Sequence, residues 1–325
     1  MKAIVYHDYG SADVLKIEEL EKPTPADSEV LVRVRAAAVN PMDCHLMSGV
    51  YLMRLMTGFR KPKHTRPGAD FAGEVESVGG NVTRFKPGDQ VFGVARGAFA
   101  EYVCAPEDKL ALKPTNLTFE QAAAIPVAAV TALQGLRDKG RVQSGQKVLI
   151  NGAAGGVGTF AVQIAKSFGA IVTGVCTTKS VDLVRSLGAD NVVDYTRDDF
   201  TLSAEPYDLI FDLVGNRPLS ECLGVLTPRG TFIAGGAPPG GHWIGPLPRL
   251  LNVLVSSRFV SQKVVFFVAR ITLDDLTILK ELIESNKVTP VIDRRYTLNN
   301  VPDAIRYQKA GHTRGKVVIT LNDKT

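Results

Sequence analysis

The spacing of apolar residues changes character near residue 125. Before that point, apolar and polar residues alternate in short runs at 30–34, 73–78 and 90–94, and proline and glycine separate the runs. Alternation with a period of two is typical of strands with one buried face. The pattern therefore predicts that residues 1–125 are mostly β-structure, with a helix that begins at the capping sequence 118–121 and restarts at Pro126.

Beyond Pro126, strands and helices are predicted to alternate. The strands fall at residues 147–150, 170–176, 191–195, 208–214 and 231–235, and helices at 159–168 and 181–187 lie between the first three. Five strands that alternate with helices indicate a parallel, doubly wound α/β sheet. The C-terminal part predicts a helix at 273–284, a short helix near 302–307 and a closing strand at 316–321.

Length and composition indicate a folded protein of about two domains. The chain has 325 residues, of which 45% are hydrophobic and 22% are charged. These values exclude a mini-protein and disfavour a disordered polyampholyte. Lys and Arg number 38 against 33 Asp and Glu, a net charge of +5, which is too small to indicate a nucleic-acid partner.

The cysteines and the N-terminal sequence indicate the compartment. The four cysteines, at 44, 104, 176 and 222, form no CxxC pair, and the chain contains no HExxH. This disfavours a zinc knuckle and a disulfide scaffold. The N-terminal residues resemble neither a signal peptide nor a transit peptide, and glycine and proline interrupt the long uncharged runs. We therefore expect a cytoplasmic protein without a membrane span.

A glycine-rich segment, Gly-Ala-Ala-Gly-Gly-Val-Gly at 152–158, lies between a predicted buried strand and an amphipathic helix. Small residues there let the backbone approach a pyrophosphate, and the N–H groups at the helix start bind phosphate. We predict that Ala154, Gly155, Gly156 and Val157 bind a dinucleotide. Ala153 replaces the first glycine of GxGxxG, and a tight turn without a ligand is the alternative.

The end of the next strand predicts which dinucleotide binds. An acidic residue at this position binds the ribose 2′-hydroxyl of NAD and repels the 2′-phosphate of NADP. Here the chain has Thr177, Thr178 and Lys179, and the first acid is Asp182. NADP(H) is therefore favoured, although Lys179 is alternatively a solvated lysine before a helix. Tyr195 is predicted to close over the adenosine phosphate or, equally, to pack at a sheet edge.

These residues match a known family. Residues 145–158, together with Gln163 and Lys166, resemble the quinone oxidoreductase/zeta-crystallin signature of the medium-chain dehydrogenase/reductase superfamily, and segments 39–43, 67–79, 85–91 and 314–319 extend the likeness. The resemblance implies a GroES-like, mostly β catalytic domain at 1–125 and 269–325, and a Rossmann cofactor domain at 126–268. It also implies an active site in the cleft between them and a homodimer.

The family's zinc ligands are absent from this chain. Zinc-dependent relatives carry Gly-His-Glu where residues 68–70 are Gly-Ala-Asp, and their metal-binding cysteine lies in the segment that matches 39–43. Cys44 and His45 are the only adjacent substitutes and have no third partner, so no metal is predicted. Oxidation of an alcohol needs a Lewis acid to stabilise the alkoxide, whereas reduction of a quinone or a conjugated alkene needs only hydrogen-bond donors at the acceptor oxygen. Without a metal, the second reaction is therefore favoured. The resemblance thus implies NADPH-dependent hydride transfer to a small hydrophobic quinone, enone or carbonyl.

The resemblance also implies roles for individual residues. Asn40 is expected to contact the nicotinamide ribose or the acceptor oxygen, unless it is only a turn residue before Pro41. Tyr51 is the nearest phenol to donate a proton, with water as the alternative. The remaining predicted coenzyme contacts are Thr131, Gly235, Phe266, Phe267, Val268 and Lys316. Thr131 is alternatively a buried helix threonine, and the two phenylalanines are alternatively part of a core strand.

Two basic stretches have no acidic residue, one between Asp43 and Asp70 and the other between Glu221 and Asp274. They predict a positively charged, apolar mouth that admits the acceptor and makes peripheral contact with a membrane. The alternative is a solvated charged face with a helix, containing Leu247 and Leu254, packed on a dimer partner. Alcohol dehydrogenase activity and a structural or RNA-binding role remain alternative functions, but the chain shows no aromatic and basic RNA platform.

Overall fold

The computed structural model describes residues 1–49, 54, 57–235 and 261–321. The chain divides into two compact units. The first comprises Met1–Val130, Ile271–Asn286 and Pro290–Thr325, and the second comprises Thr131–Arg270 and Lys287–Thr289. No described helix is long and apolar enough to cross a membrane.

The strands of the described residues are numbered in chain order. They are β1 (Lys2–Val5), β2 (Lys16–Glu19), β3 (Glu29–Val39), β4 (Asp70–Val78), β5 (Gln90–Val94), β6 (Tyr102–Pro106), β7 (Leu110–Leu112), β8 (Lys147–Asn151), β9 (Ile171–Cys176), β10 (Asn191–Asp194), β11 (Tyr207–Asp212), β12 (Leu226–Ala234), β13 (Lys263–Phe266), β14 (Ile292–Thr297) and β15 (Lys316–Thr320).

The α-helices follow the same numbering. They are α1 (Pro41–Ser48), α2 (Phe119–Ala123), α3 (Pro126–Gln134), α4 (Gly156–Ser167), α5 (Val181–Ser186), α6 (Leu219–Gly224), α7 (Leu273–Glu284) and α8 (Val301–Lys309). A π-helical turn, Gly135–Gly140, follows α3, and a 3-10 turn, Thr178–Ser180, follows β9.

The first unit is built on a mixed sheet in the order β14-β15-β3-β4-β5-β7, with β6 also paired to β3. Strand β3 is long enough for its first half to pair with β6 and its second half with β15. The register sets Val317 opposite Val39 and Asp70 opposite Ala38. The starts of β4 and β15 therefore lie beside the end of β3.

The second unit is a six-stranded sheet in the order β10-β9-β8-β11-β12-β13, and every pair is parallel. This is the doubly wound order, in which the chain reverses direction across the sheet between β8 and β11 and ligands bind at the carboxyl ends of these strands. Side chains such as Leu149, Ile210 and Phe232 are fully buried in it. The predicted α/β fold class, with a GroES-like and a Rossmann domain, is confirmed.

Several predicted elements differ in extent from those observed. A sixth strand, β13, joins the five that were predicted. Strand β12 begins at Leu226 rather than at residue 231, because Leu226 pairs with Tyr207 before the register shifts to Leu209 and Thr231. Helix α4 begins at Gly156 rather than at 159, since the glycines themselves form its first turn.

Candidate functional site

The glycine-rich turn, residues 152–158, connects β8 to α4 at the point where the strand order reverses. The N–H groups of Gly152 and Ala153 donate to the carbonyl oxygen of Val175, at 3.2 and 3.0 Å, which ties the turn to β9. Gly152 has φ +87°, and a Cβ there would lie 2.8 Å from Cγ2 of Val214. A side chain at Gly152 is therefore strained for two reasons.

Gly158 is where the turn and the helix approach most closely. A Cβ at this position would lie 2.0 Å from the carbonyl oxygen of Gly152 and 2.8 Å from the backbone of Ala153. Backbone atoms cannot move aside as the end of a flexible side chain can, so only glycine fits. The missing side chain at Gly158 thus allows the first turn of α4 to lie directly against Gly152 and Ala153.

Ala153 is accommodated by a glycine on the neighbouring strand. Ala153 is fully buried, and a Cβ at Gly174 of β9 would lie only 3.0 Å from the Cβ of Ala153. The missing side chain at Gly174 leaves the room that Ala153 fills. The imperfect GxGxxG pattern is thus compensated by a residue that sequence reasoning did not connect with the motif.

The turn fits the pyrophosphate of a dinucleotide. Gly155 is the N-cap of the 12-residue helix α4, and Gly156 and Val157 begin it. The first amides of a helix have no carbonyl partner within the helix and carry its positive dipole end. All four residues predicted to bind the coenzyme here, Ala154 to Val157, lie at this turn; residues 155–157 are half-buried and Ala154 is buried.

The adjoining ends of β8 and β11 are joined by buried polar side chains that sequence reasoning missed. The amide nitrogen of Asn151 donates to Asp212 and to Asn216, each at 2.9 Å. The Asp212 carboxylate in turn accepts from the N–H groups of Val214 and Gly215, at 3.1 and 2.8 Å. Asp212 therefore holds the loop that follows β11 beside the glycine-rich turn.

Two of the predicted nicotinamide-flanking residues, Gly235 and Phe267, lie beside Phe211. A Cβ at Gly235 would lie 2.5 Å from the Phe211 ring, and the Phe267 and Phe211 ring centroids are 6.5 Å apart. Phe266 and Val268 are 40% and 74% exposed. Phe266 is the last residue of strand β13, which lies at the edge of the sheet formed by the described residues. The alternative interpretation therefore gives the strand correctly, but the exposure of Phe266 is not that of a core residue.

The β9 exit, residues 177–180, contains the residues predicted to bind the 2′-phosphate of the coenzyme. Lys179 is exposed, and Tyr195, at the end of the adjacent strand, is 45% exposed. The Thr178 hydroxyl donates to the Asp194 carboxylate at 2.5 Å. An acidic side chain is therefore present at the β9 exit after all, and it comes from β10 rather than from β9.

The first unit contains a buried network of Asn40, Asp43, Asp70 and Lys316. The Lys316 ammonium donates to Oδ1 of Asn40 at 2.6 Å and to Oδ2 of Asp70 at 3.2 Å. The Asn40 amide nitrogen donates to the same Asp70 oxygen at 3.0 Å. All four side chains are buried, with Lys316 only 3% exposed. Both ends of the Asn40 side chain are thus engaged within the protein.

Backbone groups complete this network. The N–H of Val127, in the first turn of α3, donates to Oδ1 of Asp70 at 3.0 Å. The Asp43 carboxylate accepts the N–H of Asn40 at 2.8 Å and so caps the start of α1. Asn40 therefore does more than occupy a turn before Pro41, because its side chain connects β3, β4 and β15.

Two buried carboxylates, Asp43 and Asp70, lie near the Lys316 ammonium, and only Asp70 contacts it. Burial raises the pKa of Asp43 to about 7, and the nearby charge of Asp70 adds to the increase. Burial also raises the pKa of Asp70, against the opposing effects of Lys316, Asn40 and the Val127 N–H. The network thus holds a proton-sensitive carboxyl near neutral pH.

Three further predictions concern Thr131, Tyr51 and the two basic stretches. Thr131 lies half-buried in α3. Tyr51, the predicted proton donor, is outside the described residues, as is the stripe around Leu247 and Leu254. In the described part of the basic loop, Arg60, Lys61 and Lys63 are exposed next to Phe59, which is 70% exposed.

The candidate metal ligands do not form a site within the described chain. Among those residues, no group of three His, Cys, Asp or Glu side chains is placed to hold an ion. Burial raises the pKa of the Cys44 thiol to about 12, and burial together with Lys309 lowers the pKa of His45. The Cys44 sulfur lies 3.9 Å from the carbonyl oxygen of Ile305, as expected of a packed thiol.

Two family models match the chain. Residues 26–115 match the alcohol dehydrogenase GroES-like domain, and residues 187–319 match a domain described as zinc-binding dehydrogenase. The second family is named for zinc binding, but the residue of this chain that matches the zinc-binding histidine of zinc-dependent relatives is Ala69.

Curated relatives and a solved structure agree with these models. The chain is 36% identical both to 2-methylene-furan-3-one reductase of Solanum lycopersicum and to NADPH-dependent alkenal/one oxidoreductase, chloroplastic, of Arabidopsis thaliana, over 98% of this chain and 79% of each relative. The quinone oxidoreductase from Coxiella burnetii superposes with a TM-score of 0.87 at 31% identity, over 99% of both chains. The resemblance seen in the sequence is confirmed, and the chain belongs to the quinone oxidoreductase family of the medium-chain dehydrogenases/reductases.

Proposed function

We propose that this protein is an NADPH-dependent oxidoreductase that reduces a quinone, or another activated alkene or carbonyl, without a metal. The observation that carries the proposal is the glycine-rich turn at the reversal point of a doubly wound sheet. Gly158 and the α4 amides form a cradle for an anionic pyrophosphate. The relatives named as an NADPH-dependent alkenal/one oxidoreductase and a quinone oxidoreductase support the choice of coenzyme and acceptor.

The chain's own residues would bind and orient the coenzyme. NADPH supplies a hydride when bound. Gly155, Gly156 and Val157 would hold the pyrophosphate, while Thr177, Lys179 and Tyr195 would contact the adenosine half. The backbone around Gly235 and Phe267 would flank the nicotinamide. Asp70 would position Asn40 and Lys316, since it accepts hydrogen bonds from both.

The nature of the acceptor follows from the residues at the former metal position. Ala69 cannot bind zinc, and its neighbour Asp70 is occupied by Lys316, Asn40 and Val127. An acceptor whose negative charge spreads onto its own oxygen needs only hydrogen-bond donors. A quinone or enone meets this requirement, whereas a simple alkoxide needs stronger stabilisation.

A steady-state panel tests this proposal. Quinones, enones and alcohols are compared with NADPH, NADH and their oxidised forms, using the full chain. We expect acceptor-dependent loss of NADPH absorbance with quinones or enones and no alcohol oxidation by NADP⁺. Alcohol oxidation as the sole activity would contradict the proposal, and binding of NADPH without any turnover would favour the structural role.

We also propose that the protein works as a homodimer, from the family resemblance, and that it lies in the cytoplasm, from the lack of any cysteine pattern typical of a disulfide scaffold. The tests are light scattering after size-exclusion chromatography and fractionation of cells. A monomer at micromolar concentration would contradict the first statement, and recovery in an organelle fraction would contradict the second.

A further inference from the structure

The carboxylate of Asp194, on the neighbouring strand β10, lies at the β9 exit. Strands β9 and β10 are parallel and in register, so that their last residues, Cys176 and Asp194, are partners. The N–H of Tyr195 donates to the Cys176 carbonyl oxygen at 3.1 Å. The segments that leave the two strands therefore start side by side, and Asp194 faces the turn at 177–180.

The Asp194 carboxylate is firmly held in this position. Its Oδ2 accepts the Thr178 hydroxyl at 2.5 Å, and its Oδ1 accepts both the hydroxyl and the N–H of Thr196, at 2.8 and 3.1 Å. The hydrogen bond from Thr178 is the main cause that lowers the pKa of Asp194. The side chain is thus ionised at neutral pH and fixed against the residue predicted to bind a 2′-phosphate.

The surrounding charges do not cancel this carboxylate. Arg197 is 3.7 Å from Asp194, but its side chain is 74% exposed, so the pair is weak and screened by salt. The depression at this edge is lined by three acidic and two basic side chains, which are Asp182, Asp194, Asp198, Arg185 and Arg197. A dianionic phosphate therefore meets an excess of negative charge on the Asp194 side.

We propose that Asp194 is a specificity-determining residue for the coenzyme. Its carboxylate acts on the ribose 2′ position from β10, the strand next to the one that carries this acid in NAD-specific doubly wound folds. It orients Thr178 through their hydrogen bond, and its charge limits the preference for a 2′-phosphorylated coenzyme that Lys179 creates. This inference rests on the proposed use of NADPH and refines it.

The binding of two coenzyme fragments tests the effect of the Asp194 charge independently of the catalytic reaction. The Kd values of 2′,5′-ADP and 5′-AMP are measured by calorimetry for the full chain and for Asp194→Asn. We expect the Kd of 2′,5′-ADP to fall roughly fivefold, the effect of one unit charge near a phosphate in aqueous surroundings. The Kd of 5′-AMP should change less than about twofold, because it lacks the 2′-phosphate.

Two further variants keep the test decisive. The ratio compared is the Kd of 2′,5′-ADP divided by the Kd of 5′-AMP. Asp194→Ser should lower this ratio as Asp194→Asn does, which covers the case that the asparagine variant does not fold. Asp138→Asn removes an equal charge from the π-helical turn, which contacts β11 and β12, and should leave the ratio unchanged.

The outcomes distinguish this inference from the proposed function. An unchanged ratio in folded Asp194→Asn and Asp194→Ser, or an equal shift in Asp138→Asn, would overturn the role of Asp194. A wild-type protein that binds 2′,5′-ADP no better than 5′-AMP would contradict the preference for NADPH, while a lower ratio in Asp194→Asn would still support the inference.

Discussion

The glycine-rich turn and the buried network are built in opposite ways. The turn uses backbone groups of consecutive residues, and its key positions require the absence of a side chain, as at Gly158. The network uses side chains that are distant in sequence, such as Asn40 and Lys316, which the register of β3 and β15 brings together. The first is specified by local sequence, whereas the second depends on the completed sheet.

This difference predicts different consequences of mutation. A substitution in the turn should mainly affect coenzyme binding, because the backbone cradle is lost while the rest of the sheet persists. A substitution in the network should mainly affect stability, because it leaves a buried charge without its partner. The predictions below test this separation.

Lys316→Met should have the largest effect on stability. It leaves Asp70 buried without its ammonium partner, and breaking a buried ion pair in this way costs about 3–5 kcal/mol. Urea unfolding measures the loss. Lys22→Met is the matched control, since its ion pair with Glu76 is exposed and should contribute less than about 1 kcal/mol. Equal losses in the two variants would contradict the importance of burial.

Gly158→Ala should weaken coenzyme binding by about 10- to 100-fold, because losing a backbone hydrogen bond to a charged phosphate costs about 1.5–3 kcal/mol. The new Cβ would lie 2.0 Å from the Gly152 carbonyl oxygen, so the turn must shift away from α4. Quenching of protein fluorescence by NADPH measures the Kd. Gly224→Ala is the control, because a Cβ there meets no atom within 4 Å; unchanged affinity in Gly158→Ala would contradict the cradle.

The fold was largely predictable, and the reason is that its signals are local. The alternation of strands and helices after Pro126 and the turn at 152–158 can be recognised within short windows. Strand β13 was predicted only as the alternative interpretation of Phe266 and Phe267, because its four residues are too few to show a clear period. The start of β12 was missed because Pro228 and Gly230 lie within the strand and obscure its pattern.

The candidate site was only partly predictable. Asn40 and Lys316 were identified by resemblance, but Asp70 was noted only as part of a lost metal motif. The partnership of Asp70 with Lys316, 246 positions away, depends on strand pairing that a sequence pattern does not encode. The same reason explains Asp194, whose contact with Thr178 crosses from one strand to the next.

The stability of the protein should fall as the pH rises from about 4 to 7, in so far as Asp43 contributes. Its pKa is raised from an ordinary carboxyl value to about 7, so in this range the folded state holds a proton that the unfolded state has released. Relative to Asp43→Asn, the wild type should lose at least about 1 kcal/mol between pH 5 and 7.5. Urea unfolding at both pH values measures this, and parallel pH profiles would contradict it.

Lys179→Ala should have the smallest effect, a rise of roughly fivefold in the KM for NADPH with no change for NADH. The exposed ammonium is predicted to attract the 2′-phosphate, which NADH lacks. Steady-state kinetics with both coenzymes measure the effect. Lys287→Ala removes another exposed lysine of the same unit and should change neither KM; an unaltered coenzyme preference in Lys179→Ala would contradict the assignment.

The central claim is that hydride passes from NADPH to an activated acceptor with no metal ion required. Its most direct test uses NADPH deuterated at the transferred position, an enone acceptor, and protein from which metal ions have been removed with a chelator. The account predicts one deuterium at the carbon β to the carbonyl of the product, detected by mass spectrometry. Absence of transfer until a zinc ion is restored would contradict it.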